Sequence, residues 1–206
     1  MIFCSHRINT IEQLKKIPTN FGIEIDVNTY LNKLILKHDP FGSGDLLKNF
    51  LNFFNHKFLI INVKTEGLEE NILNYLIKHK IKNFFFLDTS FPYIFKLSKK
   101  LTKKFALRVS DFESVETAYK MKNKIEWIWI DCFHNYNISL KEIKKLQRLK
   151  YKLCLVAPDL HNRKICLKDK LFFKNLNKNN IKLDMICAKN KNYQTIVKFF
   201  PYLKTL

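Results

Sequence analysis

Apolar runs of four to eight residues recur along the 206-residue chain, separated by stretches whose apolar positions return every three or four residues. The runs at 2–7, 22–28, 57–64, 83–88, 105–110, 126–133, 152–158 and 183–189 read as strands. Several are apolar throughout, as strands covered on both faces are. A short extra strand at 31–38 follows its predecessor closely enough to pair with it as a hairpin. Helices fit at 10–17, 43–54, 67–80, 91–102, 112–121, 138–149, 165–176 and 192–204. In 67–80, Leu68, Ile72, Leu73, Leu76 and Ile77 share one face, and Glu69 and Glu70 occupy the first turn, where the helix dipole favours carboxylates. Asn9 is a candidate cap for the first helix, Ser110 or Asp111 for the fifth, and Ser139 for the sixth.

Strand then helix, about eight times over, predicts an α/β fold: a compact (β/α)8 TIM barrel over 1–206 as one domain, with a hairpin strand after strand two. An open doubly wound sheet is the alternative. That fold usually carries a glycine-rich turn after an early strand, which neither HRINT nor TEGLEE supplies.

Composition narrows the classes. Apolar content of 47% and charged content of 27% describe a globular protein, and no run is long enough to cross a membrane. The start, MIFCSHRINT, lacks the pattern of a secretion signal, so a cytoplasmic location is expected. Five cysteines without a CxxC suggest reduced thiols. The net charge of +19 admits an anionic partner, whether nucleic acid, membrane or phosphate ester. The lysines are nevertheless spread over helix surfaces, as in 141–152, and no nucleic-acid-binding motif is present. No specific nucleic acid is therefore expected, and a small phosphodiester is the expected partner.

The chemistry concentrates in the first third of the chain. Strands alternate faces, so Glu24 and Asp26 point the same way. Facing a barrel mouth, the two would make a hard oxygen site for Mg²⁺ or Ca²⁺; facing the helices, they would be buried salt-bridge acceptors. His6, Arg7, His38, Asn62 and Lys64 all fall at the C-terminal ends of apolar runs, where barrel enzymes build their sites. Asp88, Arg108, Asp131 and Asp159 follow later strands at matching positions. His56 and His79 lie near helix ends and are expected to face solvent. Trp127 and Trp129 share a face, which suits core packing.

His6-Arg7, then Glu24-Ile25-Asp26, then His38-Asp39, then Asn62-Val63-Lys64 resemble the motif series of the glycerophosphodiester phosphodiesterase family, within the phosphatidylinositol-phospholipase-C-like superfamily. The resemblance implies a phosphoric diester hydrolase of lipid metabolism with one divalent cation, Mg²⁺ or Ca²⁺. It implies that Glu24, Asp26 and Asn62 hold the cation. His6 and His38 would act as general acid and base, and Arg7 and Lys64 would bind the phosphate. Three departures stand out. Ile8 replaces a glycine, with Asn9-Thr10 in place of a longer loop. Asn62 replaces a metal carboxylate, so Glu66, Asp88 or Asp131 would have to compensate. The family's cap insertion is missing, which also resembles sphingomyelinase D and implies an open site. A barrel that binds phosphate without turning it over is the alternative reading, and a basic nucleic-acid-binding protein a further one.

Overall fold

The computed structural model describes residues 1–97 and 103–203. Eight parallel strands close into a ring: β1 (Ile2–Ser5), β2 (Gly22–Tyr30), β5 (Phe58–Val63), β6 (Phe84–Leu87), β7 (Lys103–Val109), β8 (Ile125–Ile130), β9 (Lys152–Val156) and β10 (Met185–Ala188). Closure is made where β1 pairs with β2, Cys4 opposite Gly22 and Ser5 opposite Ile23. That pairing excludes the open sheet. Two short strands lie outside the ring. β3 (Lys33–Leu36) runs antiparallel to β2, as the hairpin expectation had it, and β4 (Asp45–Leu46) adds to β3. The sequence reading has no counterpart for β4, which falls in the expected helix 43–54.

Helices α1 (Ile11–Lys15), α2 (Leu47–Leu51), α3 (Glu69–Lys78), α4 (Phe91–Leu97), α5 (Val115–Lys120), α6 (Leu140–Arg148), α7 (Leu167–Lys178) and α8 (Tyr193–Phe199) each fall within or across an expected span. Positions 98–102 and 204, expected to be helical, lie outside the described residues. Two caps differ from expectation. Thr10, not Asn9, caps α1 in a capping box with Gln13, and Ser114, not Ser110 or Asp111, caps α5. Ser139 caps α6 with Glu142 as its reciprocal partner. In each case the capping side chain directly precedes the first helical residue, close enough to reach the free N–H groups of the first turn.

Alternation along the strands makes two apolar layers. One face packs under the helices, through residues such as Ile23, Ile25, Ile61, Phe86 and Leu155. The other fills the ring, through Cys4, Ile60, Phe85, Trp127, Trp129 and Cys187. Phe58 and Phe85 pack their rings against Trp127 at 5.1 and 5.0 Å. The ring is therefore a filled core, and a site can form only at a mouth. His56, expected at the surface, is instead buried, with Nε2 3.0 Å from the Ile17 carbonyl. The chain after α2 folds back against the end of α1 and covers it.

Candidate active site at the barrel mouth

Glu24 and Asp26 continue the inward row of β2 that begins at Gly22, so period two turns both into the ring at its C-terminal end. Both are completely buried. The strand register sets Asn62 of β5 beside Asp26. From β1 the chain turns at Arg7, whose φ of 57° is left-handed, a conformation an arginine adopts only when its surroundings hold it there. Here the turn aims the Arg7 N–H at Glu24 Oε2, 2.6 Å away. Arg7 Nε lies 3.6 Å from Asp26 Oδ2, and Lys64 Nζ lies 3.2 Å from Asp26 Oδ1. His6 Nε2 stands 3.6 Å from Glu24 Oε2.

Asn9 is the participant that sequence reasoning assigned to a helix cap. It clasps Asp26 from both sides: its amide donates to Asp26 Oδ2 at 2.8 Å, and its carbonyl accepts from the Asp26 N–H at 2.8 Å. The shortened loop Ile8-Asn9-Thr10 makes this reach possible. The substitution of a short polar residue for a longer loop was the only signal in the sequence.

Electrostatics follow from burial. Desolvation, then the charge of Asp26, pushes Glu24 up to about 8. Desolvation, then the positive charge of Arg7, pushes His6 down to about 3. Glu24 Oε1, Asp26 Oδ1 and Asn62 Oδ1 are buried without a hydrogen-bond partner, although Lys64 forms its ion pair with the second of these. Three buried hard oxygens, two of them from carboxylates and one of these faced by Lys64, are the kind of donor set a small divalent cation takes. Among the described residues no three His, Cys, Asp or Glu side chains cluster in the manner of a metal site.

The remaining candidates fall elsewhere. His38 is half-exposed on the loop after β3, with Nδ1 2.7 Å from Asp39 Oδ1; that loop is anchored beside the pair by the bond from the Lys37 N–H to the Asp26 carbonyl at 3.0 Å. Glu66 is exposed. Asp88 and Asp131 do not join Glu24 and Asp26. They form a second cluster around Arg108, on β6, β7 and β8, with β8 facing β2 across the ring. Asp131 cannot act as a spare ligand, since both its oxygens are engaged. Oδ1 binds His161 Nε2 at 2.6 Å and the Cys132 N–H at 2.8 Å, and Oδ2 accepts from Trp129 Nε1 at 3.1 Å. Burial would raise Asp131, but the His161 bond and the Arg108 charge outweigh it and hold the carboxyl low. His161, a rim residue in APDLHNR, packs against Phe133 with ring centroids 4.4 Å apart. Asp159 pins the chain after β10, with Oδ2 accepting from the Lys189 N–H at 3.0 Å, and burial raises its pKa.

Comparison of folds gives this arrangement a context. A solved structure from Agrobacterium tumefaciens, provisionally assigned as a glycerophosphoryl diester phosphodiesterase, matches with a TM-score of 0.67 at 12% identity over 98% of each chain. A glycerophosphoryl diester phosphodiesterase from Parabacteroides distasonis matches at 0.62 and 12% identity, over 98% of this chain and 86% of that one. A provisionally assigned glycerophosphodiester phosphodiesterase from Galdieria sulphuraria matches at 0.65 and 14% identity, over 98% and 97%. The chain has the fold of the glycerophosphodiester phosphodiesterases. By sequence, no family model and no curated protein matches it.

Proposed function

We propose that the protein is a phosphodiesterase acting on a small glycerol-, sugar- or polyol-linked phosphodiester. The observation that carries this reading is the pair Glu24 and Asp26, fully buried at the mouth with unpartnered oxygens and faced by Arg7, Lys64 and His6. Two desolvated carboxylates are costly unless cations share the space. Glu24, Asp26 and the Asn62 carbonyl would hold Mg²⁺ or Ca²⁺, which when bound neutralises charge growing on the phosphoryl oxygens.

The protein's own groups supply the rest. Arg7 and Lys64 grip the phosphate, Arg7 through its forked donors. His6, held at the mouth 3.6 Å from Glu24, serves as base towards a hydroxyl next to the ester; burial and Arg7 keep its ring neutral, which leaves it free to take a proton but lowers its basicity. That oxygen attacks phosphorus, the bond from phosphorus to the leaving alcohol breaks, and His38 returns a proton to the departing oxygen. A cyclic phosphate results.

Turnover with Mg²⁺ of a glycerol-linked aryl phosphodiester, which carries the neighbouring hydroxyl, tests the reading. His6→Ala and His38→Ala should each lower kcat by about 10²–10⁴-fold. Activity unchanged in both variants would remove the assignment. The Lys64 ammonium, 3.2 Å from Asp26, supports a second reading: a phosphate-binding barrel without turnover, its cation place shared by lysine. Tight phosphate binding with no turnover under any divalent metal would select that one.

A further inference from the structure

The four most exposed large hydrophobic residues of the described chain are Phe41, Leu31, Phe112 and Leu167, at 90%, 75%, 73% and 72%. All four belong to segments that follow strand C-termini. Leu31 tips the β2–β3 hairpin, Phe41 lies on the loop after β3, Phe112 on the loop after β7, and Leu167 opens α7 after β9. In a parallel ring the segments after β2, β7 and β9 share one end, the mouth that carries Glu24 and Asp26; the Phe41 loop, which follows the antiparallel β3, is tied to that end by the Lys37 N–H bond to the Asp26 carbonyl and by Asp45, which accepts from the Ile11 N–H at 2.7 Å. β2 makes its last pair with β5 at Val27 and runs on to Tyr30, which lifts Leu31 roughly 10 Å above the rim. β7 and β9 each stand three strands from β2, in opposite directions round the ring. The apolar tips are thus spread round the mouth.

Charge is distributed to match. Leu167 sits between Lys164 and Lys170, which with Lys189, Lys191 and Lys198 line a cavity of about 630 Å³. Carboxylates on the Phe112 side are engaged by the protein's own donors: Asp88 and Glu113 pair with Arg108, and Asp111 accepts from the His134 N–H at 2.6 Å. Scattered apolar tips in water gain nothing, whereas tips gathered at one end beside a lysine-lined cavity suit an apolar layer with anionic headgroups.

We infer that the mouth face docks on an anionic lipid bilayer, with Leu31, Phe41, Phe112 and Leu167 dipping into the interface and the Lys164–Lys198 cavity receiving acidic headgroups. The net charge of +19 draws the protein to such a surface. This docking does not depend on any reaction at the mouth.

Sedimentation of the full chain with vesicles tests it. The protein should pellet with equimolar phosphatidylcholine and phosphatidylglycerol, not with phosphatidylcholine alone, and less as NaCl rises. The double variant Phe41→Ser/Phe112→Ser should weaken binding by at least about tenfold, since two partly inserted rings together exceed that step. Phe53→Ser, half-exposed at the opposite end of the barrel, should bind as the parent does. Matching thermal melting establishes that these surface variants fold. Failure to pellet with the anionic vesicles at low salt overturns the inference. So does equal weakening by Phe53→Ser, or undiminished binding of the double variant. If the tips instead cover a second copy of the chain, the protein alone will sediment as a dimer that the double variant splits, and the inference likewise fails.

Discussion

Asn62 occupies the place on β5 where a third carboxylate would complete a hard oxygen site, and it brings an oxygen without a charge. Beside it, Asp26 is already approached by Lys64 and Arg7 and clasped by Asn9. The charge balance of the cluster therefore leans towards cation. Asn62→Glu should tighten Mg²⁺ binding, because a third carboxylate adds direct attraction and offsets the two basic side chains. Calorimetry with Mg²⁺ reads the change, and no gain would place Asn62 away from the metal. At this scale the sequence was informative where spacing governs. Glu24 and Asp26 share a face because strands have period two, and nothing in the fold could separate them. Asn9 was not legible, because its partner is 17 positions away and only the turn at Arg7 brings them together. The partner of His161 was hidden for the same reason, since its bond to Asp131 joins the ends of neighbouring strands.

Elements inherit such distant contacts. The end of α1 and the chain after α2 meet at His56, whose ring is buried and bonded to the Ile17 carbonyl. Burial lowers the His56 pKa below the ordinary 6.5, the backbone bond opposing only in part. The folded protein thus keeps this ring neutral while the unfolded chain protonates it as pH falls below 6.5. The unfolded state then binds more protons, so this group's contribution to stability is lost on acidification. His56→Gln keeps a donor for the carbonyl and cannot titrate. Its melting temperature should fall less than that of the parent between about pH 7 and about pH 5. An identical fall in both would show that His56 does not sense pH. The sequence placed this histidine at a helix end and therefore at the surface. Whether a helix end is covered depends on what packs over it, and local pattern does not encode that.

The whole molecule depends on closing the ring where β1 meets β2. Gly22 lies in that seam, and a Cβ there would stand 3.3 Å from Ile2 Cγ2 and 3.4 Å from Cys4. Gly22→Val should overpack the seam and destabilise the barrel by about 1–3 kcal/mol in urea unfolding. A cost-free substitution would mean that the seam is loose. The repeat of strand and helix, the shared face of Glu24 and Asp26, and the apolar runs of both core layers were set by the sequence alone. Each is a local periodicity, and the backbone geometry of strands and helices turns periodicity directly into faces. Only the tertiary structure decided that Asp88 and Asp131 belong to Arg108 rather than to the acidic pair, that Asn9 serves Asp26, and that Leu31, Phe112 and Leu167 share one mouth. Those outcomes depend on which strands become neighbours once the ring closes, and that is a property of the closed ring rather than of any one segment.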